Sequence, residues 1–532
     1  MQTVPTAGKT PETVVDVLVA AARTRGGHEA YVEPATATTP RRSVSLDEWD
    51  RASSGLAGRL QMLGVGPGTV VAVVLPSSID YMVAYAAALK LGAVTSGINP
   101  RLGEAEMSSI AARTRPVVTV VDDELFPLWG SSPAGPWGTT LWRSEIARWS
   151  DGPGPAEFPR LEADDPVAVV WTSGTTGLPK GAVFSHRSLA AVADGTDVLS
   201  EPGDRRLSPL PFAHVGSMTR TWDEIANGIT TVITPTPWRA ADALAVMEAE
   251  RITVAQGVPT QWALVLARDE FASSDLSALR IAGTGASRVP PELVAEMRER
   301  LGVPVVVRYT STEASLGTGT RPGDPDEAVA VTVGQAVPGV EMRLVDDDGD
   351  EVATGEVGRV TLRSPAVMTG YWGGPLTGVG ADGVVYDREA TDAVLDGDGW
   401  LTTGDFGYLD SDDRLHLVGR ANELFIRGGY NVYPAEVEGV IGDHPRVAQV
   451  AVVGRPDPVL GEVGVAVVVL GDPAGPDPYD GLLEELRSLV RANLADYKAP
   501  DRLVVVDALP LTSMMKVDKR ALMLLLDERM GA

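Results

Sequence analysis

The chain has 532 residues, 72 acidic against 45 basic, and a formal net charge of -27, so its surface repels the phosphates of nucleic acids and anionic membranes. Its length exceeds what one hydrophobic core supports, and at least two domains are expected. The absence of cysteine removes disulfides, thiolate metal sites and cysteine nucleophiles.

An apolar share of 44% with 22% charged residues is that of a soluble globular protein. Met1-Gln2-Thr3-Val4-Pro5 shows no basic stretch leading into an apolar run. The apolar stretch 81–94 is interrupted by Lys90 and is too short to span a bilayer. A cytoplasmic location without membrane insertion is the expectation. The histidines at 28, 186, 214, 416 and 444 have no metal-ligand spacing. Any anionic ligand must be held locally, by backbone N–H groups, a few placed cations or Mg²⁺.

In chain order, Val-rich runs at 69–75, 117–121, 167–171, 230–233 and 304–307 read as buried strands. Stretches 79–90, 240–250 and 290–300 carry helical periodicity, the last opening on Pro290-Pro291-Glu292. This alternation predicts α/β layers with largely parallel sheets. From 331 to 415, short runs separated by Gly and Asp predict a β-rich subdomain. Beyond Gly419, strands at 449–453, 463–470 and 503–506 with a helix at 480–494 predict a compact α+β unit. Residues 471–480 read as a surface loop. The expected division is 1–419 and 420–532, with a hinge at 420–423.

The segment Thr172-Ser173-Gly174-Thr175-Thr176-Gly177-Leu178-Pro179-Lys180-Gly181 follows a buried strand. Its glycines permit close backbone approach to a ligand, four hydroxyls add donors, and Lys180 adds a mobile cation. The spacing is not that of a Walker loop. Gly283-Thr284-Gly285 lacks the third glycine of a dinucleotide fingerprint, and no G-x-S-x-G elbow is present.

Taken in order with Tyr309-Thr310-Ser311-Thr312-Glu313, Thr403-Gly404-Asp405, the 419–438 stretch and Lys516, this loop resembles the adenylate-forming superfamily, acyl-CoA ligase branch. The resemblance runs over roughly residues 40–525. It implies reaction of a carboxylic acid with Mg-ATP to an acyl-AMP, followed by displacement of AMP by the thiol of coenzyme A. Thr172, Ser173, Gly174, Thr175, Thr176 and Lys180 would cradle the phosphates. Thr312 would touch the α-phosphate, and Glu313 would hold Mg²⁺, as suits a hard carboxylate oxygen. Tyr309, with Thr310 and Ser311 behind it, would stack on adenine opposite Gly285, Ala286 and Ser287. Asp405 would accept the ribose hydroxyls, with Arg420 assisting from the hinge.

Lys516 would bridge the acyl carboxylate and α-phosphate, making it a catalytic residue with Thr172, Glu313 and His214. His214 would gate both the acyl pocket and a pantetheine tunnel lined by Gly428, Gly429 and Tyr430. The acyl pocket is expected along 212–219, 284–287 and 311–318, with Phe212, His214, Gly283, Gly285 and Gly317 leaving room for a bulky acid. No charged residue there is obviously poised to pair with an amino group.

Three positions depart from the family pattern: Asn422 at the hinge, Thr310 after the adenine-stacking tyrosine, and Met514-Met515 before Lys516, where a small residue and a glycine are usual. The Met pair is expected to hinder the tight turn that delivers the lysine. Four readings follow: a complete ligase; an enzyme that thioesterifies an acyl-AMP supplied by a second adenylating enzyme; an adenylating enzyme that loads a separate carrier protein; and a non-catalytic nucleotide-binding regulator. Monomer and homodimer both remain open.

Overall fold

The computed structural model describes residues 12–124, 136–172, 179–286, 289–374, 385–421, 423–428, 430–471, 481–512 and 515–530. Where the sequence places unbroken β-branched runs, strands lie at the centre of sheets covered on both faces. Val70–Val74 is buried at all five positions. The helix Ile79–Lys90 beside it is buried on every side, as expected of a central helix rather than an amphipathic one. Its two charged residues are neutralised locally: Asp80 lies 2.8 Å from both Arg42 and Arg143, and Lys90 lies 2.5 Å from Asp50.

Two large sheets carry the N-terminal part. Among the described residues one has nine strands, six of them parallel in the order Val305–Tyr309, Ile281–Gly285, Val254–Gly257, Arg205–Ser208, Thr230–Ile233 and Glu29–Glu33, with antiparallel strands at both edges. The other has seven strands, parallel except where Lys180–Ser185 runs antiparallel between Pro166–Thr172 and Gly370–Tyr371. Functional loops gather at the ends of such strands.

The expected β-rich subdomain is an antiparallel sheet of Glu341–Val345, Gly358–Arg363, Trp400–Leu409 and Leu415–Arg420. Sheet membership changes between Arg420 and Phe425. Phe425–Arg427, Tyr430–Val432, Val447–Asp457, Gly461–Leu470 and Arg502–Val505 form the C-terminal sheet. Helices Pro434–Gly442 and Leu482–Asn493 bury Val437, Ile441, Leu482, Leu486 and Val490 against it. The strand expected at 449–453 extends over Val447–Asp457, because it pairs along most of its length with Gly461–Leu470. The fold is thus α/β with a small α+β C-terminal domain. Among the described residues no helix is long and apolar enough to cross a membrane. The 472–480 part of the expected surface loop lies outside the described residues.

Candidate functional site

The phosphate end is built by strand pairing. Thr172 closes Pro166–Thr172 directly opposite Lys180, which opens the next strand, and its hydroxyl donates to the Lys180 carbonyl at 3.3 Å. Ser173, Gly174, Thr175 and Thr176 lie outside the described residues. Gly181 has a packing reason: a Cβ there would come within 2.5 Å of Val169 Cγ1. On the other side of the Lys180 strand, Tyr371 pairs with Ala182. The Lys180 ammonium sits 5.2 Å from the Tyr371 ring centroid, and the Tyr371 hydroxyl donates to Glu313 Oε1 at 2.8 Å. Burial, then the Glu313 charge, keeps that hydroxyl protonated far above neutral pH. One aromatic ring therefore spaces a cation from a hard carboxylate. The motif reading missed Tyr371; its only sequence signal is an aromatic residue following Gly370 in the β-rich region.

The Glu313 loop is shaped by tight turns. Ser311 Oγ accepts the Ala314 N–H at 3.2 Å, and the Glu313 carbonyl accepts the Met368 N–H at 2.8 Å. Thr310 turns its hydroxyl onto the Ser311 carbonyl at 3.1 Å. A Cβ at Gly317 would lie 2.4 Å from the Tyr309 carbonyl, so this loop folds back on Tyr309 only because residue 317 has no side chain. On the neighbouring strand Gly285 packs on the Arg308 backbone, and Ala286 takes a left-handed conformation at φ 64°. Ser287 lies outside the described residues.

Tyr309 is buried, and its hydroxyl donates to Asp405 Oδ2 at 2.8 Å. Arg420, directly across the strand pair from Asp405, donates from Nε to Oδ1 at 2.9 Å. Asp405 was read as the ribose acceptor and Tyr309 as an adenine platform; the two residues are joined to each other, and each Asp405 oxygen already has a donor. A carboxylate has lone pairs for more.

Lys516 comes from the C-terminal domain. The turn that presents it is closed by Thr512 N–H to the Lys516 carbonyl at 2.7 Å and Met515 N–H to the Thr512 carbonyl at 3.0 Å. Met515 sits at φ 61°, a left-handed conformation that costs a residue with Cβ about 1 kcal/mol. The turn that the sequence departure was expected to hinder is therefore formed, with backbone strain; Met514 lies outside the described residues. Burial and the Arg420 charge bring the Lys516 ammonium down to about 8, partly opposed by Asp405.

His214 caps the single-turn helix Val215–Met218 and accepts the Gly216 N–H on Nδ1 at 3.2 Å. In the neutral ring this leaves the proton on Nε2. Burial and the nearby Lys516 charge push its pKa down to about 4. Lys516 thus lies within electrostatic reach of Arg420, Asp405 and His214. Phe212 is buried against Tyr31 and Tyr81 with ring centroids 5.9 and 5.6 Å away.

Gly428 begins the turn of a hairpin in which Arg427 opposes Tyr430, and at φ 58° it meets what a two-residue hairpin turn demands. Its N–H donates to the Leu460 carbonyl at 2.8 Å, and Arg427 is forked onto Asp501 at 2.7 and 2.9 Å. Tyr430 is 58% exposed and stacks on Tyr497. Gly429 and Asn422 lie outside the described residues. Among the described residues no cluster of three or more His, Cys, Asp or Glu side chains is arranged around a metal position.

Residues 18–372 match the family model of AMP-binding enzymes, and residues 436–516 that of the AMP-binding enzyme C-terminal domain. The chain is 34% identical over 499 residues to an indoleacetate–CoA ligase of Aromatoleum aromaticum, covering 90% of this chain and 92% of that one. A fatty acid–[acyl-carrier-protein] ligase of Streptomyces coeruleorubidus is 32% identical over 90% of this chain and 91% of its own. The amide bond synthetase McbA of Marinactinospora thermotolerans superposes with a TM-score of 0.82 at 28% identity, over 96% of this chain and 99% of that one. The ordered motifs, the two matched domains and these whole-length likenesses agree: the chain belongs to the AMP-binding, adenylate-forming family of acid ligases.

Proposed function

We propose that this chain converts a bulky carboxylic acid other than an amino acid into its coenzyme A thioester, through an acyl-adenylate. The observation that carries the reading is the approach of Lys516 to Arg420, Asp405 and His214, which gathers groups from both domains at one place. Thr172 and Lys180 bind the β- and γ-phosphates, with residues 173–176 between them. Glu313 would hold Mg²⁺, whose charge would offset that of the phosphates. Asp405 and Arg420 take the ribose, and Tyr309 backs the adenine. As the acid attacks the α-phosphate, charge accumulates between the two reactants, and a fixed ammonium at Lys516 offsets it in a water-poor site. His214, held neutral, offers Nε2–H without adding a competing positive charge.

Rotation of the C-terminal domain about the segment near Asn422 exchanges Lys516 for the Gly428 hairpin in the second half-reaction. The indoleacetate–CoA ligase likeness supports coenzyme A as acceptor; a carrier protein is the competing acceptor, supported by the carrier-protein ligase. The Met514-Met515 departure motivates the reading confined to thioester formation, and the closed turn at Thr512 and Lys516 supports the complete reaction. Acid-dependent ATP–pyrophosphate exchange tests the first half, and acyl-CoA detected by mass spectrometry tests the second. Thioester formation only from added acyl-AMP, with no exchange for any acid, would replace the complete reaction by the partial one.

A further inference from the structure

Two arginines adjoin the segments where the acyl group is expected, Arg220 directly after 212–219 and Arg308 shortly before 311–318, and both carry buried N–H groups without a hydrogen-bond acceptor. Arg308 immediately precedes Tyr309, and because strand residues alternate faces, its side chain leaves the sheet on the side opposite Tyr309. Gly285 and Gly283 of the neighbouring strand, opposite Arg308 and Val306, share that face. A Cβ at Gly283 would meet Gln256 at 3.2 Å and Leu199 at 3.6 Å, so Gly283 packs closely on these side chains. The guanidinium folds over Gly319 on the next strand, where a Cβ would lie 2.6 Å from its Cζ. Its Nε and Nη2 are buried and donate to no neighbour.

Arg220 is in the same condition. Its Nη1 is buried without a hydrogen bond, and its carboxylate neighbour, Asp223 Oδ2, stays 3.9 Å away. That oxygen is already engaged by Arg206 at 2.9 Å and Ser200 at 2.8 Å. Burial, Arg206 and Arg308 bring Arg220 down to about 10, and Arg308 is lowered chiefly by burial. Glu224 is turned to Arg206 at 3.4 Å, and burial raises its pKa. Asp197, which also acts on Arg308, stands exposed to solvent. A guanidinium does not shed its proton at physiological pH, so the uncompensated positive charge persists and favours an anionic oxygen group with planar, forked geometry. Arg220 lies six residues along a nearly continuous helical path from His214, which is about 9 Å at the helical rise per residue.

We propose that the acid taken by this chain carries a second carboxylate, bound by Arg308 and Arg220 at the end away from the carboxyl that reacts near His214 and Lys516. The inference rests on the ligase reading of the site and narrows its substrate class.

The test is ATP–pyrophosphate exchange by the full chain with straight-chain diacids of increasing length, each paired with its own monomethyl ester, and with a panel of aromatic and aliphatic monoacids. For the best spacer, the wild type is expected to prefer the diacid over its monoester at least thirtyfold in kcat/KM. Arg308→Met should cut that ratio below threefold, and Arg308→Lys should retain part of it. Arg220→Met, on a separate element, supplies the same ratio if Arg308→Met does not fold. Equal or better use of the monoesters or monoacids by the wild type overturns the inference while leaving the ligase reading intact. So does a ratio that survives in both methionine variants. Absence of exchange with every acid, together with no acyl-CoA from added acyl-AMP, overturns the ligase reading, and this inference with it.

Discussion

The two lysines of the site are held in opposite ways. Lys180 opens a strand paired on both sides, stands over the Tyr371 ring and is tied through that ring to Glu313. Lys516 rides on a five-residue turn of the other domain, with a methionine in a left-handed conformation beside it. The first is part of the sheet and keeps its geometry whatever the C-terminal domain does. In the proposed reaction the second is delivered by the C-terminal domain. Charge needed throughout would then be built into the sheet, and charge needed for one step would be placed on the part proposed to rotate.

Removing the delivered charge should separate the half-reactions most sharply. Lys516→Ala is expected to lower ATP–pyrophosphate exchange by about 10²–10³-fold, the loss typical of one fixed transition-state donor. Thioester formation from added acyl-AMP should fall less than tenfold. Equal losses in both assays would show that Lys516 is not specific to adenylation. At the fixed end, Tyr371→Phe deletes only the hydroxyl bonded to Glu313. Hydrogen bonds to charged groups contribute about 1.5–3 kcal/mol, so kcat/KM for Mg-ATP should drop about tenfold or more, with KM for the acid unchanged.

The pH dependence sharpens the contrast further. Lys516 is a base lowered to about 8, so it is charged below that pH and loses its proton above it. Exchange should fall about tenfold per pH unit above 8, and Lys516→Arg should remove that limb. Stability moves the other way at this site. Between about 8 and the ordinary lysine value the unfolded chain binds the additional proton, so folding gains from Lys516 as pH rises through that window. His214, lowered to about 4, should give no inflection near neutrality. The smallest effect is expected from Met515→Gly, which relieves the left-handed strain. A gain of about 1 kcal/mol, less what the glycine adds to unfolded-chain entropy, should appear as a Tm rise of a few degrees at most, with exchange increased less than threefold.

Strands buried on both faces were legible because their composition has no other stable use: Val70–Val74 and Thr230–Ile233 lie within one residue of the runs that mark them. Lys180, Glu313, Asp405 and Lys516 were legible as an ordered set of motifs. Tyr371 was not, because its role arises when residue 371 pairs with residue 182, a long-range event with no local pattern. Arg308 was hidden for a related reason. An arginine near the end of a Val-rich strand looks like a solvated edge, and only the folded neighbours reveal that two of its nitrogens are buried without an acceptor. The Gly428-Gly429 pair carries two meanings at once, since the hairpin between Arg427 and Tyr430 requires a permissive residue at its turn whatever else passes by.

The bonds from Tyr309 and Arg420 to Asp405 bear on how a nucleotide is recognised. A sugar arriving at a carboxylate that already has two good donors trades one hydroxyl partner for another, and such a trade yields little net attraction. Adenosine alone should then be a poor competitor, with the polyphosphate tail near Lys180 and Glu313 supplying most of the grip. On the proposed reading Asp405 would set where the nucleotide sits, and the anionic end would set how long it stays.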